Sequence, residues 1–227
     1  MVKYAIEKHG GDPKRVFTVG TSSGAMMTNV LIAAYPDVFA AGSVYSGVPA
    51  GCFAVSGSTA TQDPPGWSNS CANGQLTKTA QQWGDLVRSY YPGFNGTRPR
   101  MQMYVGFDDQ DSAWNERNTN VVTASTEPPI TPSAIQTVRS SHISSPTAET
   151  LIKTTYTDQE QLKEWSNVLG LTAKKDTANT PKSGWTQTIY GEGTATTAQL
   201  VGYSANGVGH SVPQQESMDL AFFGITN

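Results

Sequence analysis

The sequence is poor in charge, in sulfur and in histidine. Charged side chains make up 15% of its 227 residues, and the formal net charge is −3. It has no Lys/Arg-rich run and no basic stripe. That argues against nucleic acid and anionic membrane surfaces as partners, since both are gripped by clustered positive charge. No apolar run approaches the ~20 residues needed to cross a bilayer, so no membrane partner is expected. The first residues are not expected to be a secretory leader. Met1 is followed directly by Val2-Lys3-Tyr4-Ala5-Ile6-Glu7-Lys8-His9, whose apolar Val2, Ala5 and Ile6 are interleaved with charge as in an amphipathic helix. The two cysteines, Cys52 and Cys71, lie in one Gly/Ser/Pro-rich segment. A disulfide between them is one reading, suited to an oxidising compartment, and two free thiols is the other. The three histidines are His9, His142 and His210.

Glycine (22 residues), serine, threonine, asparagine and aromatics are plentiful. This composition is common among secreted enzymes that act on polymers. The length fits one domain, residues 1–227, with a core of its own.

Residues 2–9 are expected to be helical, and Gly10-Gly11-Asp12-Pro13 stops them. Arg15 to Gly20 is β-branched and aromatic and predicts a buried strand. Ser23 to Pro36 predicts a helix with Met26, Met27, Val30, Leu31 and Ala34 on one broad face. Phe39 to Gly47 is the next strand. Strand, turn, helix, strand is the signature of a mostly parallel α/β sheet with helices packed on it. Residues 48–77 form a long excursion holding both cysteines and Trp67. Further along, Lys78 to Pro92 reads as a helix and Arg100 to Gly106 as a strand. Thr157 to Gly170 reads as a helix with a capping box from Thr157 to Glu160. Two late strands, in "GWTQTIYG" and "AQLVGYSANG", precede a closing helix over Ser211 to Gly224 with Pro213 near its first turn. Residues 112–150 fit none of this. They are rich in Ser, Thr and Pro with weak periodicity, and a disordered insertion is expected there.

Gly20-Thr21-Ser22-Ser23-Gly24 is a G-x-S-x-G pattern set between a predicted strand and a predicted helix. That is the context of a nucleophile elbow, where a tight turn needs small residues around an exposed serine. Ser22 is the candidate nucleophile. The N–H of Ser23, opening the helix, is a candidate oxyanion donor, because the helix N-terminus favours developing negative charge. A serine needs a base. His9 precedes the elbow and reads as a surface residue, and His142 falls in the expected insertion. His210 sits in the glycine-rich loop "ANGVGHSVP" between the last strand and the last helix. An α/β-hydrolase triad runs Ser, acid, His along the chain with the histidine on such a loop. The acid that orients it is expected after the strand ending in Gly106, where Asp108, Asp109 and Asp111 all qualify.

From Tyr4 to Phe53 the chain resembles the fungal acetyl xylan esterases and type B feruloyl esterases of carbohydrate esterase family 1, which are related to poly(3-hydroxybutyrate) depolymerase-like esterases. Further matching stretches are "WSNSCANGQ", "YYPGFNGTRPRMQMYVG", "QLKEWSNVLG" and "GVGHSVP". The resemblance implies an α/β-hydrolase fold and a secreted serine esterase acting on acetylated or feruloylated xylan as a monomer, without metal or cofactor. It places the nucleophile on Ser22 and the histidine on His210. The family's "HGxxD" falls on "VGFDD", which selects Asp109 as the acid, with Val105 where the family has His. It makes Trp67 an aromatic wall of the acyl site. Asn95-Gly96-Thr97 is a glycosylation sequon and fits secretion. The family carries an export signal, several strands and the second oxyanion donor ahead of the point where this sequence starts. Met1 is therefore expected to be internal to a longer protein, with N-terminal strands missing. Residues 112–150 are largely extra relative to the family and are expected to stem from a retained or misread intron. The competing expectations are a polyhydroxyalkanoate depolymerase on the same triad and an inert fragment.

Overall fold

A computed structural model describes residues 1–54, 68–107 and 160–225. Trp67, Asp108, Asp109, Asp111, His142 and the expected insertion over 112–150 lie outside the described residues.

The elements run α1 (Val2–His9), β1 (Phe17–Thr21), α2 (Ser23–Ala34), β2 (Ala41–Tyr45), α3 (Asn69–Ala72), α4 (Ala80–Ser89) and β3 (Arg100–Phe107). They continue with α5 over 160–168, then β4 (Lys174–Ala178), β5 (Trp185–Tyr190), β6 (Leu200–Asn206) and α6 (Glu216–Phe222). The six strands form one sheet in the order β1-β2-β3-β6-β5-β4. β1, β2, β3 and β6 are parallel, with Thr21 beside Tyr45, Tyr45 beside Tyr104, and Tyr104 beside Tyr203. β5 and β4 add two antiparallel strands. β4 escapes a hydrophobicity reading because Lys174, Lys175 and Asp176 are exposed and it buries nothing. Charge on a sheet edge of this kind blocks further pairing. At the opposite edge β1 pairs only with β2 among the described residues, and Val19 is 45% exposed.

Side chains alternate across the central strands and build a core on each face. Val44, Met103 and Leu200 join Ile32, Leu162 and Trp165 on one side. Tyr45, Tyr104 and Tyr203 join Trp185 and Phe222 on the other. Helices therefore cover both faces, α2 and α5 on the first and α6 on the second. Tyr45, Tyr104 and Tyr203 stack across three strands, with centroids 4.4 and 4.8 Å apart.

Two helices depart from expectation. α1 forms but buries none of its residues. α2 turns a different stripe inward: Ala25, Thr28, Asn29, Ile32 and Ala33 are buried, while Met27 is 57% exposed. Apart from Ile32 the inward stripe is small or polar, and the helix lies very close to the sheet. A Cβ on Gly42 would stand 2.2 Å from Ile32 Cδ1. Asn29 also has work there that an apolar residue could not do. Its amide donates to the Val48 carbonyl and to Gln161 Oε1, both at 2.9 Å, and its Oδ1 accepts from Trp165 Nε1 at 3.0 Å. Gln161 donates to the Gly47 carbonyl at 2.9 Å, and Glu164 accepts from the Ala50 N–H at 3.1 Å. Buried backbone polar groups need partners. Side chains of α2 and α5 supply them for the loop that leaves β2.

The closing helix begins at Glu216 rather than Ser211. The Gln215 N–H donates to Tyr45 Oη at 2.9 Å, and Val212 N–H turns back to the His210 carbonyl at 3.0 Å. These bonds hold residues 210–215 as a strap on the sheet and keep Pro213 out of the helix.

Candidate active site

β1 runs straight into the turn at Ser22, and α2 starts at the next residue. Ser22 has φ 56° and ψ −119°, outside the comfortable range for a residue with a side chain. Its N–H donates to the Tyr45 carbonyl at 2.8 Å, which continues the β1–β2 ladder through the turn. The turn is tight enough that a Cβ on Gly20 would stand 2.1 Å from the Gly24 carbonyl oxygen. Glycine at 20 is thus a packing requirement. At Gly24 a Cβ would meet nothing within 4 Å among the described residues.

The candidate base has to reach Ser22 from the far side of the parallel sheet. His210 follows β6, and β1 and β6 are separated by β2 and β3. Three strand spacings are about 14 Å. The chain covers that distance by folding back over the C-terminal ends of the strands. It crosses β3 at Gly106, where a Cβ would stand 2.3 Å from the Val208 carbonyl oxygen and 2.4 Å from that of Gly209. His210 then presents Nε2 to Ser22 Oγ at 2.9 Å. Serine hydroxyl and imidazole are therefore in hydrogen-bond contact at the head of a helix, with His210 exposed and Ser22 half-buried.

Ser23 is the first residue of α2 and is exposed. The first intrahelical bond runs from the Met26 N–H to the Ser22 carbonyl at 3.0 Å. The N–H groups of Ser23, Gly24 and Ala25 thus precede the helix ladder and lie beside Ser22. β3 ends at Phe107, two residues before Asp109. Cys52 and Cys71 form a disulfide with Cα atoms 5.8 Å apart, joining the loop after β2 to α3. Asn95 is exposed in the turn between α4 and β3. His9 sits exposed at the end of α1, edge-on to Tyr4.

One cluster under the site was not read from the sequence. Asp219 of α6 is buried and accepts from Ser43 Oγ at 2.6 Å, Tyr45 Oη at 2.8 Å and Gln102 Nε2 at 2.9 Å. Burial raises its carboxyl above the ordinary range, and the three donors oppose that rise. The same burial pushes the Tyr45 hydroxyl up as well. A signal was available: Ser43 and Tyr45 put polar atoms two apart on a strand whose five residues are all buried. Buried polar atoms of that kind require a partner.

Comparison with known proteins fits this geometry. Residues 1–63 match the Esterase PHB depolymerase family. The chain is 40% identical to feruloyl esterase B of Thermothelomyces thermophilus over 99% of its own length and 60% of that protein's. It is 37% identical to a probable acetylxylan esterase A of Aspergillus terreus over 99% of its length and 58% of that protein's. An acetyl xylan esterase structure from Aspergillus awamori superposes with a TM-score of 0.71 at 34% identity, covering all of this chain and 65% of the other. The chain spans about three-fifths of the length of the curated relatives it matches (60% and 58%). The mixed six-stranded sheet with helices on both faces is an α/β-hydrolase fold. Over 99% of its length this chain is similar to the feruloyl esterase B and acetylxylan esterase A proteins.

Proposed function

We propose that this chain carries the catalytic site of a secreted serine carboxylic ester hydrolase that removes acetyl or feruloyl groups from xylan. The observation that carries the reading is the 2.9 Å contact between Ser22 Oγ and His210 Nε2 at the head of α2. Ser22 attacks the ester carbonyl while His210 accepts its proton. The charge on the tetrahedral oxygen develops beside the first N–H groups of α2, with Ser23 as a donor. His210 then protonates the departing sugar hydroxyl. Water repeats the sequence on the acyl-serine and releases the acid, so water is the only co-reactant. Asp109 steadies the imidazole. Its place in the chain supports this role, because β3 runs beside the His210 strap at Gly106 and ends just short of it. Trp67 forms part of the acyl wall. The disulfide and the exposed Asn95 sequon support secretion.

Replacing Ser22 by Ala should lower kcat on acetylated xylan or methyl ferulate by on the order of 10^4-fold or more. Wild-type rates in that variant would end the assignment. Among Asp108→Asn, Asp109→Asn and Asp111→Asn, only the second should collapse kcat. The family match over residues 1–63 favours a second reading, a polyester depolymerase on the same triad. Release of hydroxybutyrate from the polymer, with no acetate or ferulate from xylan, would favour it.

A further inference from the structure

Three non-glycine residues among those described have positive φ: Ser22 at 56°, Ser46 at 54° and Asn179 at 54°. Asparagine tolerates the left-handed region because its side chain bonds locally. Here Asn179 Oδ1 accepts from the Gly184 N–H at 3.1 Å. The two serines have no such excuse, and both are at the site. Strain held in this way points to function when the surroundings enforce it.

Ser46 follows β2 directly and is buried, and its N–H donates to the Tyr104 carbonyl at 2.8 Å. The next residue is glycine, yet the left-handed turn falls on Ser46. Gly47 answers a different need, since a Cβ there would stand 2.9 Å from Ala25 Cβ. Glycine at 46 would carry the turn with less strain. What serine adds is a hydroxyl, and that hydroxyl donates to the main-chain carbonyl of His210. The residue before it faces both partners too. The Tyr45 carbonyl accepts the Ser22 N–H at 2.8 Å, and Tyr45 Oη accepts the Gln215 N–H at 2.9 Å. Tyr45 and Ser46 together therefore hold the backbone of the nucleophile on one side and both ends of the 210–215 strap on the other.

We propose that Ser46 is a positioning residue for His210: its strained backbone aims the hydroxyl at the His210 carbonyl and so fixes the imidazole against Ser22. The proposal rests on the reading of His210 as the base. Its direct readout, however, needs no turnover. Ring-15N-labelled histidine reports the hydrogen bond at Nε2 of His210 by NMR. In Ser46→Gly relief of the backbone strain offsets the lost hydrogen bond, so the melting temperature should stay near wild type while the His210 Nε2 resonance moves. With one neutral hydrogen bond gone, kcat on 4-nitrophenyl acetate should fall roughly threefold to tenfold with KM unchanged. Ser46→Ala should show the same rate loss with a lower melting temperature, because the hydrogen bond is lost and no strain is relieved to offset it. An Nε2 resonance that stays put in Ser46→Gly overturns the proposal whatever the rates do. So does a resonance that moves with no loss of kcat in an active enzyme. Absence of Ser22-dependent hydrolysis in the wild type would instead overturn the esterase reading, and the resonance would still decide the role of Ser46.

Discussion

Replacing Gly106 by Ala should disable catalysis far more than it unfolds the protein. The added Cβ would stand 2.3 and 2.4 Å from two main-chain oxygens, those of Val208 and Gly209. Neither can swing aside as a side chain would, so the strap itself must move. Non-bonded heavy atoms settle near ~3.5 Å, which asks for roughly 1 Å of displacement. His210 is the next residue, and its Nε2 contact with Ser22 is 2.9 Å. Stretched by that amount, the contact passes out of hydrogen-bond range, which ends near ~3.2 Å. A misplacement of about 1 Å costs on the order of 10^2-fold in rate, and overpacking costs about 1–3 kcal/mol of stability. Steady-state kinetics on 4-nitrophenyl acetate should show kcat falling about 100-fold, and a thermal melt of the same sample should show that the protein remains folded. A Gly106→Ala enzyme that folds and keeps kcat within about twofold would refute the idea that β3 and the strap set the position of the base.

Two further outcomes follow from groups away from Ser22. Glu164 is buried with one oxygen on the Ala50 N–H, and burial raises its carboxyl well above the ordinary range. The unfolded carboxyl titrates near ~4.3. The folded state thus binds the proton more tightly, and stability falls as pH climbs from that value toward the raised one. Glu164→Gln keeps an acceptor for Ala50 and removes the charge, so its melting temperature should exceed wild type at pH 8 and match it near pH 4. Asp219 is shifted in the same direction and should leave a residual slope. An identical pH profile in the variant would show that Glu164 ionises without cost. The Cys52–Cys71 bridge closes a loop with a sequence separation of 19. Its reduction should lower unfolding free energy by about 3 kcal/mol in a denaturant titration, and an unchanged midpoint would contradict this.

The helix–strand alternation around the elbow was legible because each element has its own period and its own stop. The strand before the G-x-S-x-G pattern and the helix after it both form, which is the context the candidate elbow was read from. The inward face of α2 was not legible. Hydrophobicity favours Met26 and Met27, but close approach to the sheet selects Ala25 and Ala33, and loop carbonyls select Asn29. β4 was hidden because an exposed edge strand has no apolar alternation to detect. The late start of α6 was hidden because the bond that delays it comes from Tyr45, far away in sequence. The same is true of the candidate site: Ser22 and His210 could each be named as candidates, but the packing of Gly106 and Ser46 against the strap depends on contacts that only the folded sheet creates.

The central claim, that Ser22 is a nucleophile activated by His210, is tested most directly with a fluorophosphonate probe followed by peptide mapping of the intact protein. The account predicts one phosphonyl group per chain, on the peptide containing Ser22, and loss of that label in His210→Ala. Label on another residue, or ester hydrolysis that persists with Ser22 unmodified by the probe, would contradict it.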